Sequence, residues 1–257
     1  MYSYYTSPTP RVSISLLTHD AININKLVAT NTSRPSCLSF WPERGYDADD
    51  FGRTLNRLAQ VQNTPVNVTA LLDAGFEEHG KLLEATRRAV TEPFTRLVDL
   101  CLHATSNGHK IILFGNGGSA ADAQHIAAEL VGRFIADRQP IPAIALTTDT
   151  SVLTSISNDY GFDHVFERQL AGLGIPGDVA IGISTSGNSP SVIHGLEMAS
   201  KMNIAATALT GGDGGALCEI ADPLLMIPSS KTARIQEMHI VLGHLLCAAI
   251  EQGLGLA

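Results

Sequence analysis

The sequence of 257 residues lacks the features that mark several common classes of protein. None of its cysteines forms a closely spaced pair; they are Cys37, Cys101, Cys218 and Cys247. This argues against a disulfide framework and a zinc finger, and it favours free thiols in a reducing compartment. No apolar run reaches the roughly 18 residues that a membrane-spanning helix requires.

Positive charge is also scarce. The chain has 17 Lys and Arg residues against 25 Asp and Glu residues, which gives a net charge of −8. Such an acidic chain is a poor partner for nucleic acid or for an anionic membrane surface. Together with the free thiols, this balance predicts a cytoplasmic protein that binds neither nucleic acid nor membranes.

The N-terminal part of the chain has no sustained hydrophobic period. Residues 1–42 are rich in Ser, Thr, Asn and Pro, and Asp20 is their one acidic residue. They also lack the continuous apolar core of about 7–15 residues that a secretory signal needs. This composition predicts a disordered or weakly packed N-terminal extension over residues 1–66 and a globular domain over residues 67–257.

From Val68 onward, apolar residues recur at helical spacing or in short runs bounded by Gly and Pro. Two amphipathic helices are predicted over residues 68–90 and 92–105. Helices then alternate with five apolar strands, predicted at residues 111–114, 141–146, 179–183, 204–209 and 224–227, and a last helix begins at Thr232. The alternation predicts an α/β fold, with a doubly wound five-stranded parallel sheet flanked by helices.

A glycine-rich turn follows the first predicted strand. The spacing of Ser119 and Asp122 indicates a capping box at the start of the next helix. Free backbone N–H groups and the positive end of the helix dipole would meet there, which is typical of an anion site. Gly115, Gly117 and Ala120 also fit a loose dinucleotide fingerprint, so the loop alone leaves a nicotinamide or flavin site open.

His125 and Glu129 lie on the helix after this turn, four residues apart and therefore on one face. A phosphate site with an imidazole and a carboxylate beside it indicates a small phosphorylated substrate. A histidine on a helix can also be an ordinary core or surface residue.

A second polar loop follows the strand predicted at residues 179–183. Its hydroxyl groups come from Ser184, Thr185, Ser186 and Ser189. Hydroxyl and backbone N–H groups can surround a terminal phosphate, whereas neither loop contains the lysine of a nucleoside-triphosphate P-loop. This loop favours phosphate binding over a dinucleotide site, at the sheet edge where ligands of parallel sheets bind.

The last predicted helix carries Gln236, His239 and His244. Gln236 and His244 are eight residues apart, roughly 12 Å along a helix. A metal held there would need further ligands, from a helix carrying His125 and Glu129 or from a second subunit. Alternatively, these side chains are polar groups on a helix surface.

Five motifs in this order and spacing resemble the phosphoheptose (sedoheptulose 7-phosphate) isomerases of the sugar-isomerase (SIS) domain superfamily: GNGGSAADAQHIAAEL, SNDYGF, GISTSGNS, LTGGDGG and RIQEMH with a later His. The resemblance covers residues 68–252. It implies a five-stranded parallel sheet flanked by helices and a homotetramer with sites between subunits.

The resemblance also implies roles for individual residues. Substrate contacts are expected from Asn116, Gly117, Gly118, Ser119, Glu129, Asn158, Asp159, Ser184, Thr185, Ser186, Ser189 and Gln236. One zinc ion per site is expected on His125, Glu129, Gln236 and His244. Glu129 and His244 are the expected acid/base pair.

The implied reaction converts sedoheptulose 7-phosphate into D-glycero-D-manno-heptose 7-phosphate by proton transfer through an enediolate. A non-enzymatic branch of the superfamily, which associates with the replication initiator DnaA, shares the loops but lacks the acid/base groups. Because this chain keeps Glu129 and His244, the enzyme is favoured over an adaptor and over a sugar-phosphate sensor.

Overall fold

The computed structural model describes residues 65–256. Val66–Ala257 form one compact unit. The extension predicted over residues 1–66 lies almost entirely outside the described residues and stays a prediction.

Six helices and five parallel strands alternate through the described part of the chain. The helices are α1 (Val68–Ser106), α2 (Gly118–Val131), α3 (Thr150–Tyr160), α4 (Val165–Leu173), α5 (Pro190–Lys201) and α6 (Thr232–Gly253). The strands are β1 (Ile111–Gly115), β2 (Ala143–Ala145), β3 (Val179–Ser184), β4 (Ala205–Gly211) and β5 (Leu224–Ile227). Short 3-10 turns at Phe162–His164 and Gly215–Glu219 complete the set.

The strands form one parallel sheet in the order β2-β1-β3-β4-β5. This confirms the predicted fold class. Gly115 pairs with Ile183 in the register of β1 and β3, so the two polar loops leave the sheet side by side. The chain order reverses between these neighbouring strands, which is where ligands of open parallel sheets bind.

Each face of the sheet has its own hydrophobic core, because successive strand residues point to opposite faces. Ile111 and Leu113 of β1 pack in the core that contains residues of α1, α2 and α6. Ile112 and Phe114 pack in the other core, with residues of α3, α4 and α5. The helices that carry His125 and His244 therefore cover the same face.

The prediction of two separate N-terminal helices is wrong, because α1 runs unbroken for 39 residues with Pro93 inside it. Proline removes one helical hydrogen bond and normally ends or kinks a helix. One buried stripe nevertheless continues through Pro93, formed by Leu82, Thr86, Val90, Leu97, Cys101 and Ala104. Burial on both sides of Pro93 stabilises the continuous helix.

The cysteines in the described part of the chain, Cys101, Cys218 and Cys247, carry free thiols, as predicted. Cys37 lies outside the described residues. Among the described helices, none combines the length and apolar character that crossing a bilayer would need.

Candidate functional site

The first polar loop turns sharply from β1 into α2. Gly117 is the N-cap, with a φ of 56°, and no side chain caps the helix. The predicted capping box of Ser119 and Asp122 is therefore wrong, because the helix already begins at Gly118 and Ser119 is buried inside the first turn. The capping N–H groups stay free of side chains, which suits an anion.

The second polar loop lies against the first. Asn116 donates a hydrogen bond from Nδ2 to Ser191 Oγ at 3.0 Å, and this bond joins the first loop to α5. Ser184 donates from its hydroxyl to Ser189 Oγ at 3.2 Å. Ser189 therefore stands at the N-cap of α5 without capping it, because its oxygen accepts from Ser184 instead. Each of these two bonds pairs polar side chains at the carboxyl edge of the sheet.

The side chain of Ser186 is exposed, and its Oγ accepts a hydrogen bond from the Asn188 backbone N–H at 3.2 Å. Thr185 beside it is half-buried. Both are accessible to a ligand at this edge of the sheet.

The Asn-Asp-Tyr-Gly composition of residues 158–161 predicts a turn, but Asn158 and Asp159 lie in the last helical turn of α3. Gly161 ends the helix with a φ of 93°. Asn158 donates from Nδ2 to Asp159 Oδ1 at 2.8 Å, and both side chains are exposed. Within residues 65–256, neither side chain is hydrogen-bonded to the polar loops.

Two helices bring three of the predicted zinc ligands together. His125 Nε2 lies 3.5 Å from Glu129 Oε1 on α2, and 2.9 Å from His244 Nε2 on α6. The two imidazoles meet edge to face, with their ring centroids 5.1 Å apart. His125 Nε2 thus has a carboxylate oxygen and a second imidazole nitrogen as close neighbours, whereas the ligand atoms of Glu129 and His244 lie more than 4.8 Å apart.

Gln236, the fourth predicted ligand, packs against the first residue of α2. A Cβ added at Gly118 would overlap the Gln236 amide, and the Gln236 Cδ would lie only 2.9 Å from it. Gly118 thus leaves room for the Gln236 amide at the start of α2. The contact places the Gln236 amide beside the anion loop.

His244 is also held from the other side by an aromatic ring. Phe134 stacks on it, with ring centroids 5.6 Å apart and an interplanar angle of 22°. Phe134 lies in the segment between α2 and β2, where no regular element fixes its position.

A buried carboxylate on α6 fixes that segment. Glu251 accepts hydrogen bonds from the backbone N–H groups of Phe134 (3.0 Å), Ile135 (3.0 Å) and Ala136 (3.3 Å). Burial alone would raise the pKa of Glu251, but these bonds and the Arg138 guanidinium outweigh it and lower that pKa.

Arg138 completes this anchor and connects it to α2. Its NH1 and NH2 groups donate to the carbonyl oxygens of Leu130 and Glu129, at 2.7 and 2.9 Å. The C-terminal end of α2, which carries the Glu129 side chain, is thereby tied to α6 through Glu251.

Comparison with known proteins identifies the family of the chain. Residues 76–211 match the family model of the SIS domain. A phosphoheptose isomerase of Paramagnetospirillum magneticum is 54% identical over 180 residues, covering 70% of this chain and 94% of that protein. A phosphoheptose isomerase of Aquifex aeolicus is 52% identical over 177 residues, covering 69% of this chain and 93% of that protein.

The chain belongs to the phosphoheptose isomerase family. A solved phosphoheptose isomerase structure from Neisseria gonorrhoeae agrees, with a TM-score of 0.69 and 44% identity over 72% of this chain and 100% of that chain. The family resemblance stated from the motifs is thus confirmed. Membership also makes the chain an aldose–ketose isomerase, so the preference for an enzyme over an adaptor is confirmed as well.

The donor atoms around His125 suit the zinc ion that the resemblance implies, but Glu129 and His244 would have to move closer together for one ion to bind all three side chains. With zinc–nitrogen bonds of about 2.0–2.1 Å, ligand atoms on a tetrahedral ion lie roughly 3.3 Å apart. The separations of 2.9 and 3.5 Å around His125 Nε2 bracket that value. Imidazole and carboxylate are both common zinc ligands.

Sequence reasoning missed Phe134, Arg138 and Glu251. The one available signal is Glu251 itself, a carboxylate at the end of an apolar helical stretch. A carboxylate among apolar residues is rarely buried without a partner. Nothing in the sequence identifies Arg138 as that partner, because 113 residues separate them.

Proposed function

We propose that this phosphoheptose isomerase converts sedoheptulose 7-phosphate into D-glycero-D-manno-heptose 7-phosphate, with Glu129 and His244 as its acid/base pair. The observation that carries this proposal is the pair of contacts that His125 makes with Glu129 and with His244, on the helix that follows the first polar loop. The reaction moves one proton from C1 to C2 and another between the two oxygens.

The polar loops hold the phosphate end of the substrate. The backbone N–H groups of Gly117 and Gly118 at the start of α2, the Ser119 hydroxyl, and the hydroxyls of Ser184, Thr185, Ser186 and Ser189 supply neutral hydrogen-bond donors. Asn116 also contributes, and Asn158 and Asp159 contact the sugar. Binding far from the reacting carbons orients the chain of the sugar, so that C1 and C2 reach the acid/base pair.

Glu129 accepts the C1 proton, which leaves an enediolate, and returns a proton to C2. His244 carries the proton between the two substrate oxygens, because a ring nitrogen of imidazole can both accept and donate a proton. Phe134 and the Glu251 anchor hold these side chains in place. The Gln236 amide hydrogen-bonds the substrate beside them.

His125, Glu129, Gln236 and His244 would hold one zinc ion. When bound, the ion would stabilise negative charge on the substrate oxygens as a Lewis acid. The donor chemistry and the ligand separations around His125 Nε2 support this assignment.

We also propose a homotetramer with sites between subunits. An apolar groove runs between α1 and α6, with Leu83, Val90, Phe94, Val241 and Leu245 among its lining residues. The first turns of α1 expose Leu71, Leu72 and Phe76 by 67, 57 and 72%. A contiguous apolar surface of this kind is typical of protein interfaces. Free thiols support a cytoplasmic location.

The decisive experiment incubates the purified full chain with sedoheptulose 7-phosphate, with and without added zinc. The expected product is an aldoheptose 7-phosphate, detected by NMR together with exchange of the C1 proton in deuterated water. Tight binding of the sugar phosphate without exchange or turnover would instead favour a sensor and overturn the proposal.

A further inference from the structure

A second group of metal-ligating side chains lies on the other face of the sheet. His164 is in the 3-10 turn before α4, Glu167 is in α4, and His194 is in α5. One ligand atom of each lies within 4.8 Å of the others, and this is the sole such group of His, Cys, Asp or Glu among residues 65–256. α4 and α5 pack in the core that excludes α2 and α6. The group is therefore separate from the site around His125.

The hydrogen bond of His194 leaves a ring lone pair available for a metal ion. His194 Nδ1 lies 3.1 Å from the carbonyl oxygen of Asp163, to which it can only donate. This bond fixes the neutral tautomer with its lone pair on Nε2, the arrangement typical of metal-binding histidines. The His164 and His194 rings stack with centroids 5.2 Å apart, so both imidazoles face one region.

Glu167 supplies the negative charge. Its Oε2 lies 2.7 Å from His164 Nδ1. The neighbouring Arg168 packs over the Tyr160 ring instead, with Cζ 3.7 Å from the centroid. Glu167 and His164 keep 25 and 43% of their side-chain surface exposed, which leaves the group open to an ion from solution.

We propose that His164, Glu167 and His194 form a second metal site, which binds a divalent transition-metal ion of the zinc type and clamps α4 to α5. Two imidazoles and one carboxylate form a donor set that zinc accepts, with a fourth position left for water. Magnesium and calcium prefer oxygen ligands throughout and fit poorly. The proposed metal site begins at His164, shortly after the end of α3, whose last helical turn contains Asn158 and Asp159.

Calorimetric titration with Zn²⁺ tests this site in a chain carrying His125→Asn and His244→Asn, which removes the imidazoles of the other site. We expect about one zinc ion per chain. Loss of a residue that only supports a metal ligand weakens metal binding by about 10–100-fold. His194→Gln and Glu167→Gln each remove a ligand itself, so each should weaken zinc binding by at least about 100-fold. His103→Gln, which alters an exposed histidine on α1, should leave binding unchanged.

Thermal unfolding provides a second measurement, in the otherwise wild-type chain. An ion that binds only the folded protein raises Tm. The His194→Gln chain should bind one zinc ion fewer than the His103→Gln chain. Added zinc should also raise the Tm of His194→Gln by a smaller amount. Equal zinc binding in these two variants would overturn the proposal. The zinc count does not depend on turnover, so this result is independent of the isomerase assignment.

Discussion

Arg138 and Glu251 form a buried ion pair across 113 residues of chain, with Nε and Oε1 2.8 Å apart. Their side chains expose only 2 and 0% of their surface. The pair fixes the segment that stacks Phe134 on His244, and it holds the carbonyl group of Glu129. The candidate acid/base residues are thus both connected to one buried carboxylate.

Glu251→Gln should destabilise the protein by about 3–5 kcal/mol, because it leaves the Arg138 guanidinium buried without a counter-charge. The pKa of Glu251 is lowered in the folded state, so its contribution is present above the unfolded value near 4.5 and is lost as the pH falls through the folded value. Urea unfolding at pH 7 and at pH 3–4 measures the difference, which should shrink at the lower pH.

The matched control is Glu219→Gln, which changes an exposed carboxylate. It should leave the free energy of unfolding within about 0.5 kcal/mol of wild type. A Glu251→Gln protein as stable as this control would contradict the role of the ion pair.

Glu129→Gln should lower kcat by about 10²–10⁴-fold, because a general base typically contributes that much. Exchange of the substrate C1 proton should stop as well, while binding of the sugar phosphate persists. The zinc content is measured in the same preparation, since Glu129 is also a proposed ligand. Glu197→Gln, an exposed change on α5, is the control. C1 exchange at the wild-type rate in Glu129→Gln would assign the base elsewhere.

Ser186→Ala should weaken substrate binding by about 1–3 kcal/mol if its hydroxyl bonds a phosphate oxygen. KM should rise with little change in kcat, because the phosphate lies far from the reacting carbons. Steady-state kinetics measure both constants, and Ser155→Ala on the exposed face of α3 is the control. An unchanged KM would mean that the hydroxyl only supports the loop through the Asn188 N–H.

His239 predicts a pH dependence of stability. Burial lowers its pKa to about 4, although a hydrogen bond to the Thr210 carbonyl oxygen partly offsets this. Between pH 6.5 and about 4 the unfolded chain binds one more proton than the folded chain at this residue. The free energy of unfolding should therefore decrease as the pH is lowered through this range, by up to about 1.4 kcal/mol per pH unit.

Urea unfolding of wild type and His239→Gln across that range isolates this contribution. The wild-type slope should exceed that of the variant between pH 6 and 5, above the range where Glu251 titrates. Parallel slopes would show that His239 is not neutral in the fold.

Local patterns were sufficient to predict the sheet. The strands are short apolar runs bounded by glycine or proline, and β5 was predicted at the residues where it occurs, Leu224–Ile227. The separate helices expected around Pro93 were wrong, because burial in the folded protein, not local preference, stabilises α1 there. The capping box predicted at Ser119 is wrong for a similar reason, because the backbone conformation of Gly117 sets the start of α2.

The candidate site likewise contains residues that local spacing predicts and residues whose positions depend on tertiary packing. His125 and Glu129 are predictable as neighbours from helical spacing alone, but the approach of His244 depends on how α6 packs against α2. Phe134 could not be assigned from sequence, because its position depends on hydrogen bonds from a segment without regular structure to a distant carboxylate.

The two neighbouring glycines of the first polar loop serve different purposes. Gly117 is required by the backbone, with its positive φ, whereas Gly118 leaves room for a glutamine from the other end of the domain. A side chain at position 118 would displace the Gln236 amide from the start of α2. A search for the dinucleotide fingerprint matches positions 115, 117 and 120 and passes over this glycine, although it is the residue of the turn that admits a side chain from the last helix.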